Sequence, residues 1–135
     1  MKLETWKRSL ENYKEDSMSL KYFTLEEFDS PDSPGSGKHM KKEFLEMIDL
    51  ARGLAGIPFK INSGFRTREH NSIVGGRIGS SHLAGCAADI SCTNSGNRAL
   101  IIKSLIDAGF TRLGIASSFI HVDNDITKED AIWLY

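Results

Sequence analysis

The sequence has no long apolar run and almost no net charge, and each shortage excludes a class of protein. No stretch approaches the roughly 20 apolar residues that a membrane-spanning helix needs. The formal net charge is −1 over 135 residues, which gives no electrostatic basis for binding nucleic acid or an anionic membrane. The charged N-terminal stretch lacks the apolar core of a signal peptide. We therefore expect cytoplasmic synthesis without a secretion signal.

Cysteine is scarce, and its spacing excludes an intrachain disulfide. Cys86 and Cys92 bracket the segment "CAADISC". If this segment is extended, their Cα atoms lie about 20 Å apart, whereas a disulfide needs less than about 7 Å. The spacing is also not that of a CxxC metal or redox motif. We expect two free thiols, as is usual in a reducing compartment.

The polar and apolar pattern predicts alternating helices and strands in a single domain. Thr24 followed by Glu27 is a capping box, which predicts a short helix or turn at residues 22–28. Helical spacing predicts helices over residues 40–54 and within 97–110, and one helical turn before Gly75. Strands are predicted at 59–64, 87–91, 112–116 and 119–123, the last two as a hairpin, with the tail packed back on the body. We divide the chain into an N-terminal extension, residues 1–21, and a domain, residues 22–135.

Two histidines and an aspartate in this order point to a metal site. His82 and Asp89 lie in "SSHLAGCAADIS", and a turn at Gly85 would bring them together. His121 lies in "FIHVD", where strand alternation turns His121 and Asp123 away from the core. Two imidazoles and one carboxylate are a normal ligand set for catalytic zinc, with a fourth position left for water.

Each of these signals alone has an ordinary explanation. A histidine within a strand is more often a structural residue than a ligand, and Arg66, just beyond a strand end, is more often a surface ion-pair partner. The run "GGRIGSS" looks like a phosphate loop but lacks the GK[ST] ending. Taken together, Arg66, His82, Asp89 and His121, in this order along the chain, favour the metal site.

The motifs together resemble a known family. "INSGFRTREHN", "SSHLAGCAADIS" and "FIHVD" are similar to motifs of the zinc D-alanyl-D-alanine carboxypeptidase family of metallopeptidases, in particular its small phage and bacterial members, over residues 22–135. The resemblance implies an α+β fold of the hedgehog/DD-peptidase type, with helices packed on a small antiparallel sheet. It implies that His82, Asp89 and His121 bind Zn²⁺, and that Arg66 binds substrate and stabilises the transition state.

The resemblance also implies a substrate and a place of action. The expected activity is hydrolysis of D-amino-acid-containing stem peptides of bacterial peptidoglycan, by a carboxypeptidase or an endopeptidase. Asn71, Ser80 and Ser81 are expected to donate hydrogen bonds to the peptide or to orient ligands. We expect a monomer that acts at the bacterial cell wall, encoded by a phage as an endolysin and released through a holin.

One departure from the family pattern concerns the general base. Many members have Glu or Asp three residues before the last zinc histidine, where this chain has Ser118. Asp123 is then either the base or a carboxylate that orients a zinc histidine. The departure leaves open a catalytically weak or inactive zinc module that binds cell wall or builds a virion. A further alternative is an α+β interaction domain without metal.

Overall fold

A five-stranded sheet with two long helices on one face organises residues 19–135, the part of the chain that this computed structural model describes. The strands are β1 (Ile61–Ser63), β2 (Ala87–Ser91), β3 (Arg112–Ile115), β4 (Phe119–Asp123) and β5 (Ala131–Leu134). They lie in the order β1-β2-β4-β3-β5. Every neighbouring pair is antiparallel except β3 and β5, which are parallel.

Three α-helices and two short 3₁₀ helices complete the fold. The helices are α1 (Lys42–Ala55), α2 (Arg68–Ile73) and α3 (Ser95–Asp107), and the 3₁₀ helices are Leu25–Phe28 and Ser36–His39. Helices α1 and α3 pack against each other. The Thr24 amide donates to the Glu27 carboxylate over 2.7 Å, so the predicted capping box is confirmed.

Strand β4 shows how alternation separates the core from the site. Ile120 and Val122 are completely buried in the cluster that contains Phe44 of α1 and Leu105 of α3. The side chains of His121 and Asp123 project from the opposite face of the sheet, because successive side chains of a strand alternate. The prediction that alternate side chains of this strand face the core and the site is confirmed.

The predicted α+β fold is confirmed, and β5 is an addition to it. The family resemblance implied an antiparallel sheet, and the sequence pattern predicted a tail packed on the body, whereas residues 131–134 form a strand and make the sheet mixed. The chain reverses after β4, so β5 runs antiparallel to β4. It is therefore parallel to β3, which lies between them.

The remaining predictions concern the N-terminus, the cysteines and the membrane. Residues 1–18 lie outside the described part of the chain, so the extension predicted at 1–21 stays a prediction. Cys86 and Cys92 flank the extended strand β2, and both are buried free thiols. Among residues 19–135, no helix has the length and apolar character needed to cross a bilayer.

Candidate metal centre

The centre is built on a row of paired residues that crosses the sheet. Ser63 pairs with Asp89, Asp89 with His121, His121 with Gly114, and Gly114 with Trp133. Residues directly opposite each other on neighbouring strands lie on the same face of a sheet. This face is the one turned away from the helices, so strand register alone brings Asp89 and His121 together.

His82 joins this row through a tight turn. Gly85 adopts a φ of 73°, and a Cβ at this position would lie 2.3 Å from the His39 carbonyl oxygen. The turn therefore requires glycine, as the sequence predicted. His82 Nε2 lies 3.4 Å from Asp89 Oδ1, and His121 Nδ1 lies 2.9 Å from the same oxygen. One ligand atom from each of the three residues lies within 4.8 Å of the others.

The second nitrogen of each imidazole is held by a partner outside the cluster. His82 Nδ1 donates to the Gly64 carbonyl oxygen over 2.7 Å, and His121 Nε2 donates to Asp123 Oδ2 over 2.7 Å. These partners assign the proton to the outer nitrogen and leave a lone pair on the nitrogen that faces Asp89. Metal-binding histidines are typically held in this way. The donor set of two imidazole nitrogens and one carboxylate oxygen fits zinc.

The electrostatics of the cluster favour a positive charge at its centre. Burial opposes ionisation of Asp89, but hydrogen bonds and charge interactions with His121 and His82, in the state in which these imidazoles are protonated, outweigh it and hold the Asp89 pKa well below its usual value. Burial also disfavours a charged His121, yet its bonds to Asp123 and Asp89 outweigh that effect and raise the His121 pKa. An ionised carboxylate stays available to a cation at neutral pH.

Arg66 lies beside the candidate ligands with its guanidinium held in place. Its Nε donates to Ser63 Oγ over 3.0 Å, and its Nη1 donates to Asn71 Oδ1 over 3.2 Å. Its Nη2 lies 3.5 Å from Asp89 Oδ2. The side chain is 15% exposed, so it presents a fixed cation to the cleft.

The three predicted peptide-binding residues lie close to the centre but have internal partners. Asn71 is buried and bridges Arg66 to the Arg77 carbonyl oxygen, to which it donates over 2.9 Å. Ser81 is buried, and its hydroxyl donates to Asp125 over 2.7 Å. Ser80 is partly exposed, and its hydroxyl accepts from the His82 amide over 3.2 Å. A direct contact of these residues with substrate stays a prediction.

Asp123 lies behind His121, on the side away from the other ligands. It is 1% exposed, and its Oδ1 accepts from Arg112 Nε over 2.7 Å and from the Asp125 amide over 3.1 Å. Burial opposes its ionisation, but the bond from His121 and further donors lower the Asp123 pKa. Of the two roles that the sequence left open, this geometry favours orientation of His121. Ser118 is exposed.

A cleft of about 750 Å³ opens above the centre. Its lining includes the cations Arg66, Arg77 and Lys128 and the aromatic residues Phe119, Trp133 and Tyr135. Within residues 19–135, Asp89 and Asp123 are the only carboxylate side chains in that lining. The cleft is therefore cationic and aromatic around its candidate metal ligands.

Strands β3 and β5 contribute side chains to this site that the sequence did not predict. Arg112 binds Asp123, and the Trp133 ring centre lies 5.5 Å from that of His121. Alternation within "AIWLY" was a signal that Trp133 and Tyr135 share a face. Which face they share depends on the pairing of β5 with β3, and no local pattern reveals that pairing.

Comparison with known proteins identifies the family of this chain. The family model described as peptidase M15 matches residues 21–123, more than half of the chain. The matched segment contains Arg66, His82, Asp89, His121 and Asp123 and ends before β5. A search of curated proteins finds no match. On this match, the chain belongs to the peptidase M15 family, the zinc D-alanyl-D-alanine carboxypeptidase-like metallopeptidases that its sequence motifs resemble.

Proposed function

We propose that this protein is a zinc-dependent peptidase that hydrolyses D-amino-acid-containing stem peptides of bacterial peptidoglycan. The observation that carries the proposal is the cluster of His82, Asp89 and His121, whose ligand atoms lie within 4.8 Å of one another and line an open cleft. Membership of a peptidase family supports hydrolysis as the reaction.

Each residue of the centre has a role in this proposal. His82, Asp89 and His121 would hold the ion, which would supply a Lewis acid able to polarise a carbonyl group and to acidify water. Arg66 offers fixed positive charge to a developing oxyanion or to a substrate carboxylate. Asp123 keeps the His121 ring in the tautomer that leaves Nδ1 free to bind the ion.

The lining of the cleft suits a peptide substrate that carries carboxylates and small side chains. Arg77 is exposed, and its guanidinium forms no hydrogen bond or ion pair with the described residues. It is therefore available to a substrate anion beside the clamped Arg66. Stem peptides combine free carboxylates with alanyl methyl groups, which suit the cations and the aromatic side of the cleft.

The same proposal covers where the protein acts. We propose that it works as a monomer at the bacterial cell wall, as a phage endolysin that reaches the wall through a holin. Contact with peptidoglycan is proposed, with no role for nucleic acid or membrane. The cleft alone supports this place of action, through the fit of its charges to stem peptides.

The proposal is tested by zinc content and by hydrolysis of a synthetic stem pentapeptide that ends in D-Ala-D-Ala. We expect one zinc per chain by elemental analysis, and release of D-alanine or of a shorter stem fragment. Alanine variants of His82, Asp89 and His121 should lose both, whereas the control His70→Ala, outside the cluster, should lose neither. Unchanged zinc content in all three ligand variants would refute the assignment.

A second candidate function is a zinc module of the same fold that binds cell wall or builds a virion without turnover. The observation that favours it is the shortage of carboxylates, because Ser118 stands at the usual base position and Asp123 is fully engaged. The two candidates differ in product. Stoichiometric zinc and sedimentation with peptidoglycan, without any released peptide or amino acid, would identify the inactive module.

A further inference from the structure

We propose that Trp133 is a positioning residue, which fixes the ring of His121 so that its Nδ1 meets the metal. This inference rests on the proposed zinc site and extends it to β5, a strand beyond the segment that the family model matches. Its basis is a contact across the sheet that only a glycine on the intervening strand allows.

Gly114 lies between the two rings. It pairs with His121 on one side and with Trp133 on the other. A Cβ at this position would lie 2.6 Å from indole atoms Cε2 and Nε1 of Trp133. Any side chain here would therefore displace the indole, which instead lies across β3 towards His121. The ring centres of Trp133 and His121 are 5.5 Å apart.

The contact closes a cycle of four side chains. His121 binds Asp123 over 2.7 Å, and Asp123 binds Arg112 over 2.7 Å. The Arg112 guanidinium carbon lies 5.1 Å from the centre of the Trp133 ring, a cation–π distance. His121 is thus held at Nε2 by a hydrogen bond and at its ring by the indole.

The two restraints act on different motions of the imidazole. A hydrogen bond at Nε2 fixes the distance to Asp123 but leaves the ring free to tilt about the bond axis. The indole limits this tilt and so keeps Nδ1 directed at Asp89 and His82. Pre-organisation of a ligand lowers the free-energy cost of metal binding, because the ring is ordered before the ion arrives.

Neighbouring residues of β5 offer a matched control. Ile132 precedes Trp133 and lies on the other face of the sheet, with 60% of its surface exposed. Truncation of either side chain removes a large apolar group from the same strand. A general weakening of β5 would therefore affect both variants, whereas a positioning role belongs to Trp133 alone.

The first experiment measures the zinc dissociation constant by competition with a chromogenic chelator, for the unmodified protein, Trp133→Ala and Ile132→Ala. We expect about 10-fold weaker zinc binding for Trp133→Ala, the lower end of the loss for an outer-shell partner, and no change for Ile132→Ala. Thermal unfolding of the chelated proteins reports on the fold alone. Equal zinc affinity in all three proteins, or equal losses in both variants, would overturn the inference.

The second experiment is a double-mutant cycle with Gly114→Ala. Because Tyr135 Cε2 also lies 2.7 Å from the added Cβ, the cycle is run in a Tyr135→Ala background. We expect Gly114→Ala to weaken zinc binding when Trp133 is present and to add nothing when Trp133→Ala is already in place. Additive losses would overturn the inference.

Zinc binding by the unmodified protein distinguishes a failure of the proposed zinc site from a failure of the role proposed for Trp133. If the unmodified protein binds no zinc, both the zinc site and the role of Trp133 are refuted. If it binds zinc and Trp133→Ala binds equally well, only the role of Trp133 is refuted.

Discussion

At the scale of single residues, the site depends on which nitrogen of each histidine carries the proton. The Gly64 carbonyl and the Asp123 carboxylate each accept a hydrogen bond from the outer nitrogen, which therefore carries the proton. The inner nitrogens of His82 and His121 are thereby left with lone pairs that point to one position beside Asp89. Two acceptors outside the candidate ligand set thus orient both histidines in the way that is typical of metal ligands.

Asp123→Asn tests this control of the tautomer. We expect zinc affinity to fall by roughly 10–100-fold, the range for loss of an outer-shell carboxylate. The control is Asp130→Asn, which removes an exposed carboxylate whose one side-chain partner within residues 19–135 is Thr111. If Asp123 is instead the general base, turnover at saturating zinc falls by roughly 10²–10⁴-fold and zinc affinity stays unchanged. Chelator competition and initial rates measured together separate these results.

Arg66→Lys tests whether the guanidinium acts through its shape. Ser63 and Asn71 hold two of its nitrogens, and lysine keeps the charge without this planar fork. We expect turnover of a stem peptide to fall on the order of 10²-fold, the scale of a lost oxyanion donor, with zinc content unchanged. Arg68→Lys, at an exposed neighbour, is the control. Near-normal kinetics for Arg66→Lys would reduce Arg66 to an ion-pair partner.

At the scale of elements, a loop distant in sequence supports the arginine. Ser30 accepts from the Thr67 amide over 3.2 Å, and Asp32 accepts from the Thr67 hydroxyl over 2.6 Å. Thr67 also caps α2, since its hydroxyl accepts from the His70 amide. The loop that contains Ser30 and Asp32 therefore holds the segment from which Arg66 reaches the cleft.

Local patterns predicted the parts of the site that depend on one element. Alternation in "FIHVD" placed His121 opposite the core, and Gly85 indicated the turn that brings His82 to Asp89. The pairing of β5 with β3 is a contact between distant segments, so Trp133 stayed hidden. The internal partners of Asn71 and Ser81, which are Arg66 and Asp125, are apparent only in the folded chain, so the sequence could not distinguish a contact with the peptide from a role in orienting other side chains.

Two glycine substitutions test the turn before β2. Gly85 and Gly56 both have positive φ, but a Cβ meets the His39 carbonyl at Gly85 and open space at Gly56. Gly56→Ala should cost about 1–2 kcal/mol of unfolding free energy from backbone strain alone. Gly85→Ala should lose a further amount of roughly 1–3 kcal/mol from the clash. Equal losses in chemical denaturation would show that the close approach at Gly85 contributes nothing.

At the scale of the whole molecule, the aspartates and His121 make the stability of the folded protein depend on pH in opposite directions. Asp89 and Asp123 have lowered pKa values in the folded protein. Their stabilisation is present above about pH 4 and is lost as pH falls through the folded values. His121 has a raised pKa. Its stabilisation is present below about pH 6.5 and is lost as pH rises through the folded value.

The metal-free protein should therefore be most stable between about pH 4 and pH 6.5. Zinc competes with protons for the histidines, so its stabilising effect should grow as pH rises. Thermal unfolding with and without zinc, at about pH 5.5 and about pH 7.5, measures this linkage. We expect the larger zinc-induced rise in Tm at the higher pH. An equal rise at both values would place zinc away from the histidines.

Digestion of peptidoglycan tests whether the candidate metal centre acts on cell-wall peptides. Purified peptidoglycan is incubated with the zinc-loaded protein, with His82→Ala and with the chelated protein, and the products are identified by mass spectrometry. We expect new peptide or amino-acid products that contain D-residues, formed by the zinc-loaded protein alone. One bound zinc per chain with unaltered peptidoglycan would contradict it.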